Sequence, residues 1–344
     1  MPLYAFLHFT IIMFDMSTKE KILCLLPIPE PFFRERFSNW VDLTKVELQI
    51  LHPDAQEDDI CKAASNATII YAGPGRPPIT RKIIESAPQL KLIQTPGVGY
   101  DEVDITAAKE RRIPVATAQG ANARAVAEHA IMFILVLLKR GISGHEGTIQ
   151  GKWPQFELVL QGTRELGGKT LGILGLGKIG RELAKMARGF GVHMIYHNRN
   201  RLDEEEEQAL GVEYVGFDYL LSESDIISIH VPLNEETRGM LGSDEIRMMK
   251  DGAVIVNLSR GGVVDEGAVV EAIGSGKLMG AGFDVFESEP LLSGDLFMAV
   301  DNVMLSPHLA GATTEAIYVA HEIAGRNFNS VMEGKRPVNI VNDV

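Results

Sequence analysis

The chain has 344 residues, 45% hydrophobic and 23% charged, which suffices for two domains with apolar cores and solvated surfaces. Its formal net charge of −13 argues against non-specific binding to nucleic acid or an anionic membrane, because phosphate contacts need clustered Lys and Arg. The two cysteines, Cys24 and Cys61, have no CxxC spacing and read as reduced thiols of a cytoplasmic protein, not as a disulfide or a metal site.

The first fifteen residues, MPLYAFLHFTIIMFD, are apolar but lack a basic leader and a small-residue cleavage site, and they are too short to span a bilayer. Met16 then opens MSTKEKILCLLPI, an ordinary start running into a first strand, so residues 1–15 are expected to be a mis-called start or a loose extension. Short Val- and Ile-rich runs follow at Lys21–Ile28, Val46–His52, Thr68–Ala72, Lys91–Gln94 and Pro114–Ala116, alternating with helical patterns. That rhythm predicts a parallel sheet with crossover helices. Residues 122–140 form a helix that is apolar nearly all round, which predicts burial between domains or subunits; Arg124, Glu128 and His129 make it too short for a membrane span.

The second half repeats the beat, with strand-like runs at Thr170–Leu174, His193–His197, Ile226–Val231, Ala253–Leu258, Leu278–Asp284 and Val303–Ser306. Six such strands with crossovers predict a doubly wound nucleotide-binding domain. The acidic run Asp203–Glu207 reads as a solvated helix start, and residues 313–333 as one more helix that returns the chain to its first domain.

LGILGLGKIG places Gly175, Gly177 and Gly180 in a G-x-G-x-x-G pattern directly after a strand and at the start of the amphipathic helix KIGRELAKMARGF. Gly175 permits the tight turn, Gly177 lets backbone approach a pyrophosphate, and Gly180 lets helix pack on strand. The helix start, with Lys178 and Ile179, offers N–H groups to the phosphates. A ribose 2′-hydroxyl usually meets an acidic residue at the end of the next strand. Here that stretch reads HMIYHNRNR: Asn198 stands where the acid is expected, and Arg199 and Arg201 follow. Guanidinium groups bind a 2′-phosphate that a carboxylate would repel, so NADP(H) is expected over NAD(H); simple solvation of the arginines is the alternative.

Three later segments each follow a predicted strand: NLSRGGVVDE (257–266), GFDVFESEP (282–290) and SPHLAGAT (306–313). Their polar residues fall at the carboxyl ends of strands, where doubly wound sheets bind ligands. Reducing a 2-keto acid needs a cation for the carboxylate and carbonyl, and a proton donor for the developing alkoxide. Arg260 can supply the first and His308 the second, with Glu289 the best carboxylate to orient the imidazole.

With GLGKIG, HVPLNEETRGML, NLSRGGVVDE, DVFESEP and SPHLAGAT in order, the chain from about Lys21 onward resembles the D-isomer specific 2-hydroxyacid dehydrogenases. The resemblance implies that Arg260 binds and polarises the substrate, that Glu289 partners His308, and that His308 is the acid/base. It also implies that Asp284 faces the nicotinamide carboxamide, and that Val231, Pro232, Thr237, Leu258 and Ser259 touch the cofactor. TPGVGYD matches the loop whose backbone amides hold the substrate carboxylate, which places Val98 and Gly99 there.

The expected fold is α/β: two doubly wound parallel-sheet domains, a Rossmann nucleotide domain at 121–313 and a discontinuous, flavodoxin-like substrate domain at 17–120 plus 314–344. The site would lie between them, with hinges near Gln119–Gly120 and after His308. The loop IQTPGVGYD carries no cation, and the nearest basic residue on the first-domain rim is Arg76, so a phosphorylated substrate such as phosphoglycerate is disfavoured. Formate-specific relatives carry Gln at the place of Glu289. The complete Arg–Glu–His set with an NADP signature is most similar to glyoxylate or hydroxypyruvate reductases. Two other readings stay open: an NAD-dependent dehydrogenase of another 2-hydroxy acid, and a nucleotide-sensing corepressor. The apolar helix at 125–138 suggests a homodimer.

Overall fold

A computed structural model describes residues 19–52, 54–73 and 77–344. The expectations for residues 1–15 and for Arg76 lie outside the described residues. The chain divides into two compact units: the described residues through Ala118 together with His321–Val344, and Gln119–Ala320. Both are α/β and doubly wound.

The first unit has five parallel strands, β1 (Glu20–Cys24), β2 (Val46–Ile50), β3 (Ile69–Tyr71), β4 (Leu92–Gln94) and β5 (Val115–Ala116), in the order β2-β1-β3-β4-β5. That is the flavodoxin-like order. The strands are near-continuous apolar runs because helices cover both faces. Ile22, Cys24, Tyr71 and Leu92 pack on one face with Phe33, Phe37 and Phe328, while Leu23, Ile70 and Ile93 pack on the other with Ile60 and Ile83. The first three strands end short of their apolar runs. After Cys24, for example, Leu25 still donates to the Tyr71 carbonyl at 2.9 Å, but Pro27 has no N–H with which to continue a ladder.

The second unit contains β6 (Thr170–Leu174), β7 (His193–His197), β8 (Glu213–Tyr214), β9 (Ile226–Ile229), β10 (Ala253–Asn257), β11 (Leu278–Phe283) and β12 (Val303–Leu305). All are parallel, in the order β12-β11-β10-β9-β6-β7-β8, so the winding reverses between β6 and β9. The sheet has seven strands where the sequence predicts six. The extra one, β8, is two residues long, too short to show a period.

The helix Ala123–Leu138 packs one face on the sheet of its own unit. Phe133, Ile134 and Leu137 are fully buried with β6, β10 and β11 side chains of the same unit. Its closest approach is at Gly282 of β11, where a Cβ would stand 2.6 Å from the Phe133 ring. Its apolar face is therefore taken up by its own sheet. Exposed apolar side chains fall instead on the next two helices, Gly141–Ile149 and Gln155–Leu160, and the link between them: Ile149, Trp153, Phe156, Val159 and Leu160, with Trp153 and Phe156 about three-quarters exposed at 74% and 75%.

Among the described residues no helix is long and apolar enough to cross a membrane, and no group of three or more His, Cys, Asp or Glu could hold a metal ion. Both cysteines are free thiols.

Candidate active site

The glycine turn sits at the point where the strand order reverses. Gly175 follows β6 with φ +97°, a conformation L side chains rarely adopt, and a Cβ there would stand 2.8 Å from the His230 carbonyl carbon and the Val231 nitrogen just beyond β9. Gly180 lies against the same turn: its Cβ would be 2.5 Å from the Gly175 carbonyl oxygen. Gly177 differs, because a Cβ added there meets nothing within 4 Å. It caps the helix Lys178–Ala187, so bare backbone and a helix N-terminus face open space, which fits a pyrophosphate. Ile179 is partly buried against the core, and Lys178 reaches the Gln119 carbonyl at 3.4 Å. Behind the turn His230 bonds Ser228 at 2.9 Å, and burial pushes its pKa down to about 4, so the ring is neutral.

At the end of β7, Asn198 turns its carboxamide oxygen toward the turn and accepts the Leu176 N–H at 2.6 Å. Both arginines have carboxylate partners. Arg199 meets Glu236 at 3.4 Å in a fully solvated pair. Arg201 grips Glu207 through Nε at 2.8 Å and Nη2 at 2.7 Å, and lies over the Tyr214 ring. The Glu207 side chain is only 8% exposed and also accepts the Tyr196 hydroxyl at 2.6 Å. These bonds from Arg201 and Tyr196 hold its carboxyl down at about 2. The reading of Asp203–Glu207 as a solvated helix start is corrected at Glu207 alone; Asp203, Glu204 and Glu205 are exposed. Asp203 does cap the helix Glu204–Leu210, accepting from Glu206 N–H at 2.8 Å, but Glu207 points inward because Tyr196 and Arg201 offer it donors.

The loops after β10, β11 and β12 carry the remaining side chains. After β10, Asn257 accepts both the Ser259 N–H and hydroxyl and donates to the Arg260 carbonyl at 2.9 Å, which fixes the turn that presents Arg260. The Arg260 guanidinium reaches the Ser259 carbonyl at 2.6 Å. A Cβ on Gly261 would stand 2.0 Å from the Phe286 carbonyl oxygen, so this turn lies directly on the loop after β11. There Glu289 accepts the Phe286 N–H on Oε1 at 3.0 Å, and its Oε2 meets His308 Nδ1 at 2.9 Å. Phe286 is thus a strut shared by the Arg260 turn and the Glu289–His308 pair. His308 sits at φ +53°, with its side chain 39% exposed and that of Glu289 38% exposed. The pair is open enough to exchange protons with a ligand.

Asp284 is buried, its carboxylate accepting from Leu309 and Ala310 N–H groups and from the Ser306 hydroxyl. Leu258 and Ser259 are buried in the turn before Arg260, and Val231 and Pro232 follow β9 at the glycine turn. Thr237 closes their loop, donating to the Pro232 carbonyl at 2.6 Å and receiving Asn234 N–H at 2.9 Å. In the first unit, Val98 and Gly99 lie in the loop after β4, half-buried; the preceding Gly97 carbonyl accepts Ala118 N–H at 2.7 Å. Sequence reasoning missed Glu207 as a structural carboxylate and His129, whose Nε2 stands 3.0 Å from Ser306 Oγ. The Ser directly before the Pro–His pair was the one available hint.

A profile of the family described as D-isomer specific 2-hydroxyacid dehydrogenase, NAD binding domain, matches residues 131–310. A relative named glyoxylate reductase, from Thermococcus litoralis, is 42% identical over 268 residues, covering 77% of this chain and 80% of the relative. The chain belongs to the D-isomer specific 2-hydroxyacid dehydrogenase family. A hydroxypyruvate reductase from Thermotoga maritima is 38% identical, over 80% of this chain and 88% of its own length. Among solved structures, a glyoxylate reductase from Paecilomyes thermophila superposes with a TM-score of 0.83 at 33% identity, covering 94% of this chain and 98% of that one.

Proposed function

We propose that this family member reduces a small 2-keto acid, of the glyoxylate or hydroxypyruvate type, to the D-2-hydroxy acid. The observation that carries the reading is the Glu289–His308 hydrogen bond, half-exposed at the carboxyl end of the sheet, with the Arg260 turn packed on the same loop. Hydride chemistry comes with the nicotinamide when it is bound. Gly175, Gly177, Lys178, Ile179 and Gly180 would hold its pyrophosphate, with Val231, Pro232, Thr237, Leu258, Ser259 and Asp284 along the rest of the cofactor. Arg260 pairs with the substrate carboxylate and polarises the carbonyl. On the family resemblance, Val98 and Gly99 are proposed as backbone donors to that carboxylate. His308 Nδ1–H is directed at Glu289, which leaves Nε2 to deliver a proton to the developing alkoxide while the carboxylate offsets the imidazolium charge.

NADPH is the proposed reductant. No acid ends β7, the Asn198 side chain is turned to backbone, and Arg199 and Arg201 flank the place of a 2′-phosphate. NADH is the second reading, favoured by one observation: Glu236 and Glu207 already engage those arginines. The test is cofactor oxidation with glyoxylate, hydroxypyruvate and pyruvate, using NADPH and NADH in turn. Turnover with the first two acids and a higher kcat/KM for NADPH is expected. Tight cofactor binding without turnover would instead favour a nucleotide-sensing binding protein. The exposed apolar hairpin around Trp153 and Phe156 further suggests a homodimer, since monomers rarely leave such a patch bare. Light scattering on a Phe156→Glu variant should read a smaller particle than the unmodified chain.

A further inference from the structure

Behind His308 runs a line of side chains, two of which, His129 and Ser306, the proposed chemistry does not use. Leu309 N–H donates to the Asp284 carboxylate at 2.7 Å and Ala310 N–H at 2.9 Å, while His308 N–H donates to the Asp284 backbone carbonyl at 2.9 Å. Pro307 has no N–H, so each backbone donor from 307 to 310 reaches Asp284, with His308 N–H shared with the Ser306 carbonyl at 3.0 Å. A non-glycine residue in the left-handed region, as His308 is, persists only when its surroundings over-determine it. Asp284 supplies that constraint.

The Asp284 carboxylate is in turn oriented from the other side by the Ser306 hydroxyl. A hydroxyl has one proton and a carboxylate can only accept, so Ser306 spends its proton on Asp284. His129 Nε2, 3.0 Å from the same oxygen, must then be the donor. Burial holds the His129 pKa below the ordinary imidazole value, against the pull of the Asp284 charge, so the ring is the neutral tautomer with its proton on Nε2. The ring is wedged edge-on against Phe133 of the helix Ala123–Leu138, whose own ring is fixed on β11. Ser, His and Asp in a line suggest a hydrolase, but the order is wrong. The hydroxyl lies between carboxylate and imidazole, and its proton points away from the histidine, so nothing activates it as a nucleophile.

We propose that His129 and Ser306 are positioning residues: the line His129–Ser306–Asp284 anchors the 306–310 loop to the core helix and so sets where His308 delivers its proton. This rests on reading His308 as the proton donor. Loss of either anchor lets Asp284 turn and the His308 backbone relax, while Glu289 and the glycine turn stay in place.

The test measures glyoxylate reduction with NADPH in His129→Leu, Ser306→Ala and His129→Gln, the last placing an amide N–H where the imidazole Nε2–H stands. A displacement of the donor by about an ångström predicts a loss in kcat of roughly ten- to a hundred-fold in the first two variants. NADPH Kd, read by fluorescence, should move far less than kcat, because the glycine turn that would hold the pyrophosphate is untouched and only the Asp284 contact shifts. His129→Gln should recover most of the lost kcat, and the double variant His129→Leu/Ser306→Ala should be no slower than the worse single one. A destabilised fold alone would give no such recovery. Ser306→Ala, which removes one oxygen, carries the test if His129→Leu does not fold. Wild-type kcat in the leucine and alanine variants, or failure of glutamine to recover activity, overturns the proposal. An active His308→Ala enzyme would instead remove the underlying reading of the proton donor; an inactive one beside a fully active His129→Leu removes only the positioning role.

Discussion

At two corners of the seven-stranded sheet a carboxylate meets a basic side chain, and the two pairs have opposite characters. Glu289 and His308, after β11 and β12, share one hydrogen bond and are both more than a third open to solvent. Glu207 and Arg201, beyond β7, share two, and Glu207 is nearly closed off and also takes the Tyr196 hydroxyl. In the proposed mechanism the first pair gives up a proton and takes it back. The second is held in one charge state by its own bonds, with the Glu207 carboxyl at about 2. Burial and donor number, not residue type, separate a reactive pair from a strut.

Substitutions should divide along the same line. At the reactive corner, Arg260→Ala removes a cation that meets the developing charge, and kcat should fall by roughly a hundred- to a thousand-fold, with KM for the keto acid raised. Steady-state kinetics checks it; an unchanged KM would show that the guanidinium does not hold the carboxylate. Gly177→Ala should leave the melting temperature nearly unchanged, since a Cβ there meets nothing within 4 Å, yet weaken NADPH binding as measured by fluorescence. Gly175→Ala should do the reverse first: the positive φ and the contact with His230 predict a loss of stability of about 1–3 kcal/mol by urea denaturation.

The smallest effects belong to the strut. Tyr196→Phe removes the hydroxyl from Glu207 and should cost about 1 kcal/mol in the same denaturation, with kcat unchanged. The strut also has a pH signature. The Glu207 carboxyl is lowered from 4.5 in the unfolded chain to about 2 in the folded one. Its contribution is complete above 4.5 and is lost as pH falls from there toward 2. The difference in denaturation midpoint between wild type and Glu207→Gln should therefore be constant near neutrality and shrink below pH 4.5. A difference that grew on acidification would contradict the assignment.

The glycine turn was legible in the sequence because everything it needs is local: a strand, three glycines and a helix between Thr170 and Ala187. The strands were legible because both faces are buried, so their runs are continuous, and β8 escaped because two residues have no pattern. Arg260, Glu289 and His308 could be singled out because each follows a strand. What the sequence withheld is partnership across distance. Nothing in HNRNRLDEEEE says that Glu207 turns inward, since that depends on the Tyr196 hydroxyl near the end of β7 and on how the link bearing Arg201 folds back. Likewise His129 and Ser306 stand 177 positions apart, and only the packing of the helix Ala123–Leu138 on the sheet joins them. The helix itself read as buried between domains or subunits, because periodicity gives the width of an apolar face but not what covers it.

The central claim is that His308 passes a proton to the substrate while Arg260 and the glycine turn hold the reactants. Single-turnover oxidation of bound NADPH by glyoxylate, compared between wild type and His308→Ala, tests it most directly. A slowing of roughly a hundred- to ten-thousand-fold with NADPH affinity retained is expected for loss of a general acid. Near-wild-type oxidation in the alanine variant would mean that the proton comes from elsewhere and that the Glu289–His308 pair is structural.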